Sequence, residues 1–226
     1  MKNILTRLFI AALCMGVSLA SQAQTKKIKE VDEKPVIPFA KGASGRTVGL
    51  TKLRTEFATP PTTIGVLRYG GDCNQKFYIG WDKAVYGIYT RGLGEILRAE
   101  LAKANYPLPQ SNQAESKLGP QLHIGAYIKT VHVDYCSKNA EVSLNAAGRK
   151  QVLAKNLNGA AYVEVVWQVI APEEKRVIFE TTTEGSYRMN EDIQSSPPAF
   201  FRRAYGAAAR NLLADKGFHD VVLVGQ

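Results

Sequence analysis

Apolar positions along this chain recur with two different periods, and each change of period marks a boundary between a strand and a helix. Residues 63–69 are β-prone and close on the turn signal Gly70-Gly71-Asp72. From Asp82 onward apolar residues recur every three or four positions, which predicts a helix of about six turns that ends near Asn105. Its apolar stripe comprises Val85, Tyr89, Leu93, Leu97, Leu101 and Ala104.

The middle of the chain predicts three more strands. Residues 122–128 alternate strictly, and the apolar parity then shifts near Thr130, which predicts a β-bulge. Residues 160–170 and 176–187 alternate on either side of a tight turn, so they predict a β-hairpin. The polar residues 137–158 fit either a short helix or a long hairpin loop.

A second helix follows Ser196, with Pro197 at its first position, and ends near Lys216-Gly217. Residues 221–224 fit a terminal strand. The apolar stripe of this helix comprises Phe201, Tyr205, Ala208 and Leu212. The order of elements predicts an α+β fold, with two long helices packed on one face of an antiparallel sheet of three or four strands.

The start of the chain has the pattern of a secretory signal peptide. Lys2 and Arg7 precede the apolar run 8–20, and Ser21-Gln22-Ala23 offers small residues for cleavage before Gln24. We therefore expect a signal peptide at 1–23 and a mature protein in the periplasm, where nucleic acid is not an expected partner.

Two features decide how the exported chain is organised. Cys14 lies inside the apolar run and follows Leu13, where a lipoprotein peptidase expects Gly, Ala or Ser, so we expect no lipid anchor. Residues 24–61 are rich in charge, Gly and Pro, which predicts an extended or disordered arm. Residues 62–226 then form a single α+β domain.

The net charge of the chain indicates which kinds of partner it could bind. The chain has a net charge of +9, and removal of the signal, with two basic and no acidic residues, leaves +7. This excess fits an anionic lipid or glycan or an acidic protein partner, or it only maintains solubility.

Cys73 and Cys136 remain after cleavage of the signal peptide. A pair of cysteines in an exported protein predicts a disulfide, with two buried thiols or a metal-binding pair as alternatives.

No motif in the sequence points to catalysis. There is no G-x-S-x-G nucleophile elbow, no zinc-ligand spacing and no complete nucleotide-binding glycine pattern. The three histidines, His123, His132 and His219, fit surface or helix-end roles better than a catalytic role. We therefore predict no catalytic residue, no metal site and no cofactor.

Two groups of residues are candidates for partner binding. Phe77, Tyr78 and Trp81 belong to residues 73–81, which are predicted to form a loop that carries Cys73. If this loop is exposed, residues 77–79 form a binding lip, and if it is not, the loop covers the end of the core. Arg202 and Arg203 are the densest basic point of the second helix and lie outside its apolar stripe.

The stretch from Thr63 to Val224 resembles small α+β domains of bacterial envelope accessory proteins. These include the curli-secretion lipoprotein, the lipopolysaccharide-assembly lipoprotein and the amino-terminal domain of the Tol translocation protein. The resemblance is carried by residues 64–67 leading to a long helix, then a strand, a hairpin and a closing helix. Residues 159–169 and 177–185 also resemble a region found beside trypsin-like domains in exported bacterial proteins.

Three hypotheses of function follow. The first is a periplasmic, non-enzymatic accessory or binding protein in envelope assembly, transport or secretion, whose partner is an envelope protein docked on an exposed strand or loop. The second is a small exported hydrolase or lipid-binding enzyme. The third is a regulator of an exported protease.

Overall fold

The computed structural model describes residues 27–55, 62–81, 83–109, 120–144, 148, 150–154, 156–194 and 196–223, so the predicted signal peptide lies outside it. The fold is α+β, as predicted. The strands are β1 Val48–Thr55, β2 Thr62–Tyr69, β3 Gln75–Trp81, β4 Leu122–Ser137, β5 Glu141–Leu144, β6 Lys150–Leu153, β7 Asn156–Ala171 and β8 Arg176–Gln194. The helices are α1 Lys83–Thr90, α2 Leu93–Lys103, α3 Pro197–Leu213 and α4 Lys216–Val222.

The main sheet has six strands and is mixed, so the prediction of an antiparallel sheet of three or four strands was wrong. Its order is β3-β2-β4-β7-β8, and β1 also pairs with β4. Both β1 and β2 run parallel to β4, β1 beside residues 122–128 and β2 beside residues 133–137. The 16 residues of β4 are long enough to hold two partners in succession along one edge.

The segment after β2 departs from the prediction in two ways. Residues 75–81, expected to be a loop, form β3 in a hairpin with β2, because the turn signal at 70–72 joins two strands. The predicted six-turn helix is divided into α1 and α2 at Gly92, which adopts the left-handed conformation with φ +79°. The end of α2 lies where the sequence predicts it, next to Asn105 with φ +60°.

The other elements follow the sequence more closely. The register of β4 against β7 shifts between Ile128 and Thr130, which confirms the predicted bulge. Residues 137–158 contain the β5–β6 hairpin, which forms a separate two-stranded sheet. The terminal strand predicted at 221–224 was wrong for residues 221 and 222, which belong to α4, and residue 224 lies outside the described residues. Asp215 caps α4 by accepting a hydrogen bond from the Gly217 amide.

The helices cover one face of the main sheet, and the largest buried side chains lie between them. α3 packs on β7 and β8, while α1 and α2 pack on α3. The indole of Trp167 donates to the Thr183 hydroxyl at 2.7 Å, and that hydroxyl donates to the Ala208 carbonyl at 2.7 Å. This buried chain of hydrogen bonds joins the sheet to α3. No described helix has the length and apolar character needed to cross a membrane.

Residues 27–47 form an extended segment, here called the strap, that crosses the edge of β8 and runs along α3. Ile28 packs on the outer face of the sheet, the face opposite the helices, in a small cluster with Ala160 and Tyr162. Farther along, the Ile37 amide donates to the Leu213 carbonyl at 3.0 Å. The described part of the predicted arm is therefore extended and packed, and it continues into β1. The predicted boundary between arm and domain stays a prediction.

Candidate partner-binding surface

Cys73 and Cys136 form a disulfide, as predicted. Cys73 and Cys136 are 63 positions apart in sequence, and their Cα atoms are 5.8 Å apart. The bond attaches the β2–β3 turn to the end of β4. Since such bonds persist in oxidising compartments, it fits export.

The three aromatic residues singled out from the sequence do not form one exposed lip. Trp81 is only 5% exposed, and its ring packs against Tyr89 and Phe201 with centroids 5.8 and 6.3 Å away. Phe77 is half-buried against the same core, whereas Tyr78 on the alternate face of β3 is 50% exposed. The alternation of a strand separates them, so Tyr78 is the one with a large accessible ring.

Arg202 and Arg203 lie at a groove of about 350 Å³ between α2, α3, β8 and the strap. We call it the arginine groove. Because residues 202, 206 and 210 recur at four-residue spacing, α3 presents them along one face. The lining residues are Glu33, Ile96, Glu100, Tyr187, Arg202, Arg203, Gly206 and Arg210.

Arg203 is placed to recognise an anion. Its Cζ atom lies 5.0 Å from the centroid of the Tyr187 ring, within the range of a cation–π contact. A guanidinium that lies on an aromatic face keeps its N–H edge available for a carboxylate or phosphate. Within the part of the chain that the structure describes, Arg203 has no ion pair.

Arg202 is more constrained than its neighbour. Its Nη2 atom donates to the Ile88 carbonyl at 3.1 Å, which links α3 to α1. Its Nε atom is buried and has no hydrogen-bond partner among the described residues. The side chain of Ile88 is 51% exposed, so apolar surface adjoins this arginine.

The other end of the groove already holds carboxylates. Arg210 donates to both oxygens of Glu33 at 2.7 and 2.6 Å, and to Glu100 at 3.2 Å. The hydrogen bond from Arg210 lowers the pKa of Glu33, and the hydrogen bond to Glu33 raises the pKa of Arg210. Positive charge without a carboxylate partner, among the described residues, is therefore concentrated at the Arg202–Arg203 end.

The floor of the groove could not be predicted from the sequence. Ile96 comes from α2 and Tyr187 from β8, and only the fold brings them beside α3. Gly206 deepens the groove, since a Cβ there would lie 3.5 Å from both Arg210 Nη1 and Ile96 Cγ2. This surface is therefore suited to bind a ligand that carries an acidic group beside an apolar group.

The histidine and carboxylate considered for a hydrolase, His132 and Asp134, lie two residues apart on the outer face of β4. Asp134 lies on the outer face, where Arg68 donates to its two oxygens at 3.0 and 2.8 Å. His132 stacks against Tyr162, with ring centroids 6.1 Å apart. Within the described ranges no three His, Cys, Asp or Glu side chains form a group that could hold a metal ion.

Comparisons with known proteins establish no family. No family model and no curated protein matches this chain significantly. Among solved structures, a DUF330-family protein from Xanthomonas campestris is 8% identical, with 84% of this chain and 92% of that chain covered and a TM-score of 0.33. A protein described as a neuraminyllactose-binding hemagglutinin homolog from Helicobacter pylori is 10% identical, with coverages of 83% and 90% and a TM-score of 0.28.

A protein described as a lipoprotein from Caulobacter crescentus is 14% identical, with 67% of this chain and 87% of that chain covered and a TM-score of 0.27. All three TM-scores lie well below 0.5. These overlaps therefore establish neither a family nor a function for this chain.

Proposed function

We propose that this chain is an exported, non-enzymatic binding protein of the bacterial cell envelope that docks an acidic segment of a protein partner in the arginine groove. The carrying observation is the pair Arg202 and Arg203, which lies at a groove with an apolar floor and has no carboxylate partner among the described residues. The signal-peptide pattern and the disulfide support export.

The strap provides an intramolecular example of the proposed interaction. Glu33 belongs to an extended segment, and its carboxylate accepts two hydrogen bonds from Arg210 at one end of the groove. Arg–carboxylate pairs of this two-bond form are among the stronger and more directional contacts in proteins. A partner segment with a carboxylate for Arg203 and an apolar side chain for Ile96 would repeat this pattern at the other end.

Selection from a random peptide display library on the mature protein, residues 24–226, tests the proposal and does not require the natural partner to be identified first. We expect the enriched peptides to combine Asp or Glu with an apolar residue and to bind less tightly as salt is raised. Arg203→Glu should weaken their binding about tenfold or more, equivalent to ~1.4 kcal/mol for each factor of ten.

Arg98→Glu is the matched control, because Arg98 is exposed on α2 and lines a different cavity beside β1. It changes the net charge by the same amount and should leave peptide binding unchanged. Enrichment of peptides without acidic residues, or equal losses in the two variants, would contradict the proposed recognition.

Export is tested separately. Expression of the full chain in a Gram-negative host should yield a periplasmic protein whose first residue is Gln24. Ala23→Phe should block this cleavage, because signal peptidase requires a small residue there. A chain that retains Met1 and stays in the cytosol would contradict the location but not the groove.

A further inference from the structure

The β5–β6 hairpin carries a second surface that the proposed groove does not use. It pairs residues 141–144 with 150–153 as a two-stranded sheet that is separate from the six-stranded main sheet. All four residues of β5 are exposed. Val142 is 47% exposed and Leu144 is 71% exposed.

The exposed apolar side chains share one face of the hairpin. Val142 and Leu144 are two residues apart, so they point to the same side of the strand, whereas Glu141 and Ser143 point to the other. Val142 pairs with Val152, which is half-buried and packs against the main core. Exposure thus increases from Val152 at the base to Leu144 farther out, and the apolar side chains form a ridge that leads outward from the core.

Charge indicates which occupant this ridge fits. The sequence from 138 to 155 contains four basic residues, Lys138, Arg149, Lys150 and Lys155, and one acidic residue, Glu141. Elements that bind the surface of a bilayer combine exposed apolar side chains with flanking basic residues, because apolar insertion and attraction to anionic lipid act together. A ridge projects outward, so it is better suited to insert into a bilayer than to enclose a ligand in a pocket.

We propose that the β5–β6 hairpin is a membrane-contact element, which inserts Val142 and Leu144 into the interface of a bilayer that contains anionic phospholipid. It is a peripheral contact and not a membrane span.

Flotation of the mature protein with lipid vesicles tests this assignment. We expect the protein to float with vesicles of phosphatidylglycerol and phosphatidylcholine in equal parts, and much less with phosphatidylcholine alone. The double variant Val142→Asp with Leu144→Asp should lower the apparent affinity for the anionic vesicles at least tenfold. Circular dichroism should show an unchanged fold, because both side chains are exposed in the native state.

Leu144→Asp alone should also weaken vesicle binding, and its matched control is Val177→Asp, since Val177 is a 43% exposed aliphatic residue on β8, outside the hairpin. Vesicle binding by this variant should equal that of the unmodified protein. Arg203→Glu should also retain vesicle binding, so that failure of the groove proposal and failure of this one are distinguishable.

Three outcomes would overturn the membrane assignment. The first is no flotation with anionic vesicles, and the second is equal flotation of the hairpin variant and the unmodified protein. The third is a dimer in sedimentation that the hairpin variant loses, without vesicle binding, which would assign the ridge to a second copy of the chain.

Discussion

Gly185 on β8 lies directly beneath α3, and its lack of a side chain sets how closely the helix approaches the sheet. A Cβ atom at this position would overlap the carbonyl oxygen of Ala204 and the amide nitrogen of Ala208. These are backbone atoms inside a helix, so they cannot rotate aside as a flexible side chain would. Gly185→Ala should therefore force α3 away from the sheet and destabilise the fold.

Two contributions determine how much Gly185→Ala lowers the free energy of unfolding. Overpacking a well-packed core costs about 1–3 kcal/mol. The displaced helix also carries the Ala208 carbonyl, which accepts the Thr183 hydrogen bond at 2.7 Å, and loss of that bond adds about 1 kcal/mol. We expect a total loss of about 3 kcal/mol, a large fraction of the usual 5–15 kcal/mol of unfolding free energy.

The same substitution at Gly206 is the matched control. On that side of α3 a new Cβ would have no neighbour closer than 3.5 Å, and alanine is favoured over glycine within a helix by about 1 kcal/mol. Urea unfolding followed by tryptophan fluorescence should give a lower midpoint for Gly185→Ala and a slightly higher one for Gly206→Ala, with equal slopes. A Gly185→Ala midpoint equal to that of the unmodified protein would refute the close-packing argument.

Three further predictions concern single contacts. Replacing Cys73 and Cys136 together by Ser should lower the free energy of unfolding by about 4 kcal/mol in the chain-entropy model, and a reducing agent should then have no further effect on urea unfolding. Thr183→Val should lower the free energy of unfolding by about 2–3 kcal/mol, because it leaves the buried indole N–H of Trp167 unpaired and removes the hydrogen bond to the Ala208 carbonyl. Thr183→Ser should cost less by the same assay. The hydrogen bond from Arg210 lowers the pKa of Glu33 in the folded state, so the stabilisation is complete above about pH 4.5 and disappears as the pH falls through the lowered value. The urea midpoints of Glu33→Gln and the unmodified protein should therefore converge as the pH is lowered below 4.5.

Features that depend on local alternation could be predicted from the sequence. The apolar parity reverses around Thr130, and a residue inserted into a strand must produce that reversal, so the bulge of β4 is visible in the sequence alone. The buried stripe of α3 and the β7–β8 hairpin were predicted for the same reason. Each of these features is encoded within one continuous segment of the chain.

Features that depend on distant partners were missed or wrong. Nothing local in residues 48–55 indicates that they pair in parallel with residues 122–128, because strand pairing is decided by the whole sheet. The break at Gly92 was hidden because the apolar stripe continues across it. A loop and an edge strand also have similar composition, so β3 and the burial of Trp81 were visible only in the fold.

In the candidate site, too, the local sequence identified the two arginines but not the residues around them. Those surroundings make the two arginines different. Both were identified by charge outside the α3 stripe, yet their surroundings come from other elements. Arg202 donates to the Ile88 carbonyl, so its replacement would also disturb the contact between α1 and α3. Arg203 instead lies over the Tyr187 ring, exposed, with no ion pair among the described residues. Recognition of an acidic partner is therefore best tested at Arg203, where a change of charge leaves the packing of the helices intact.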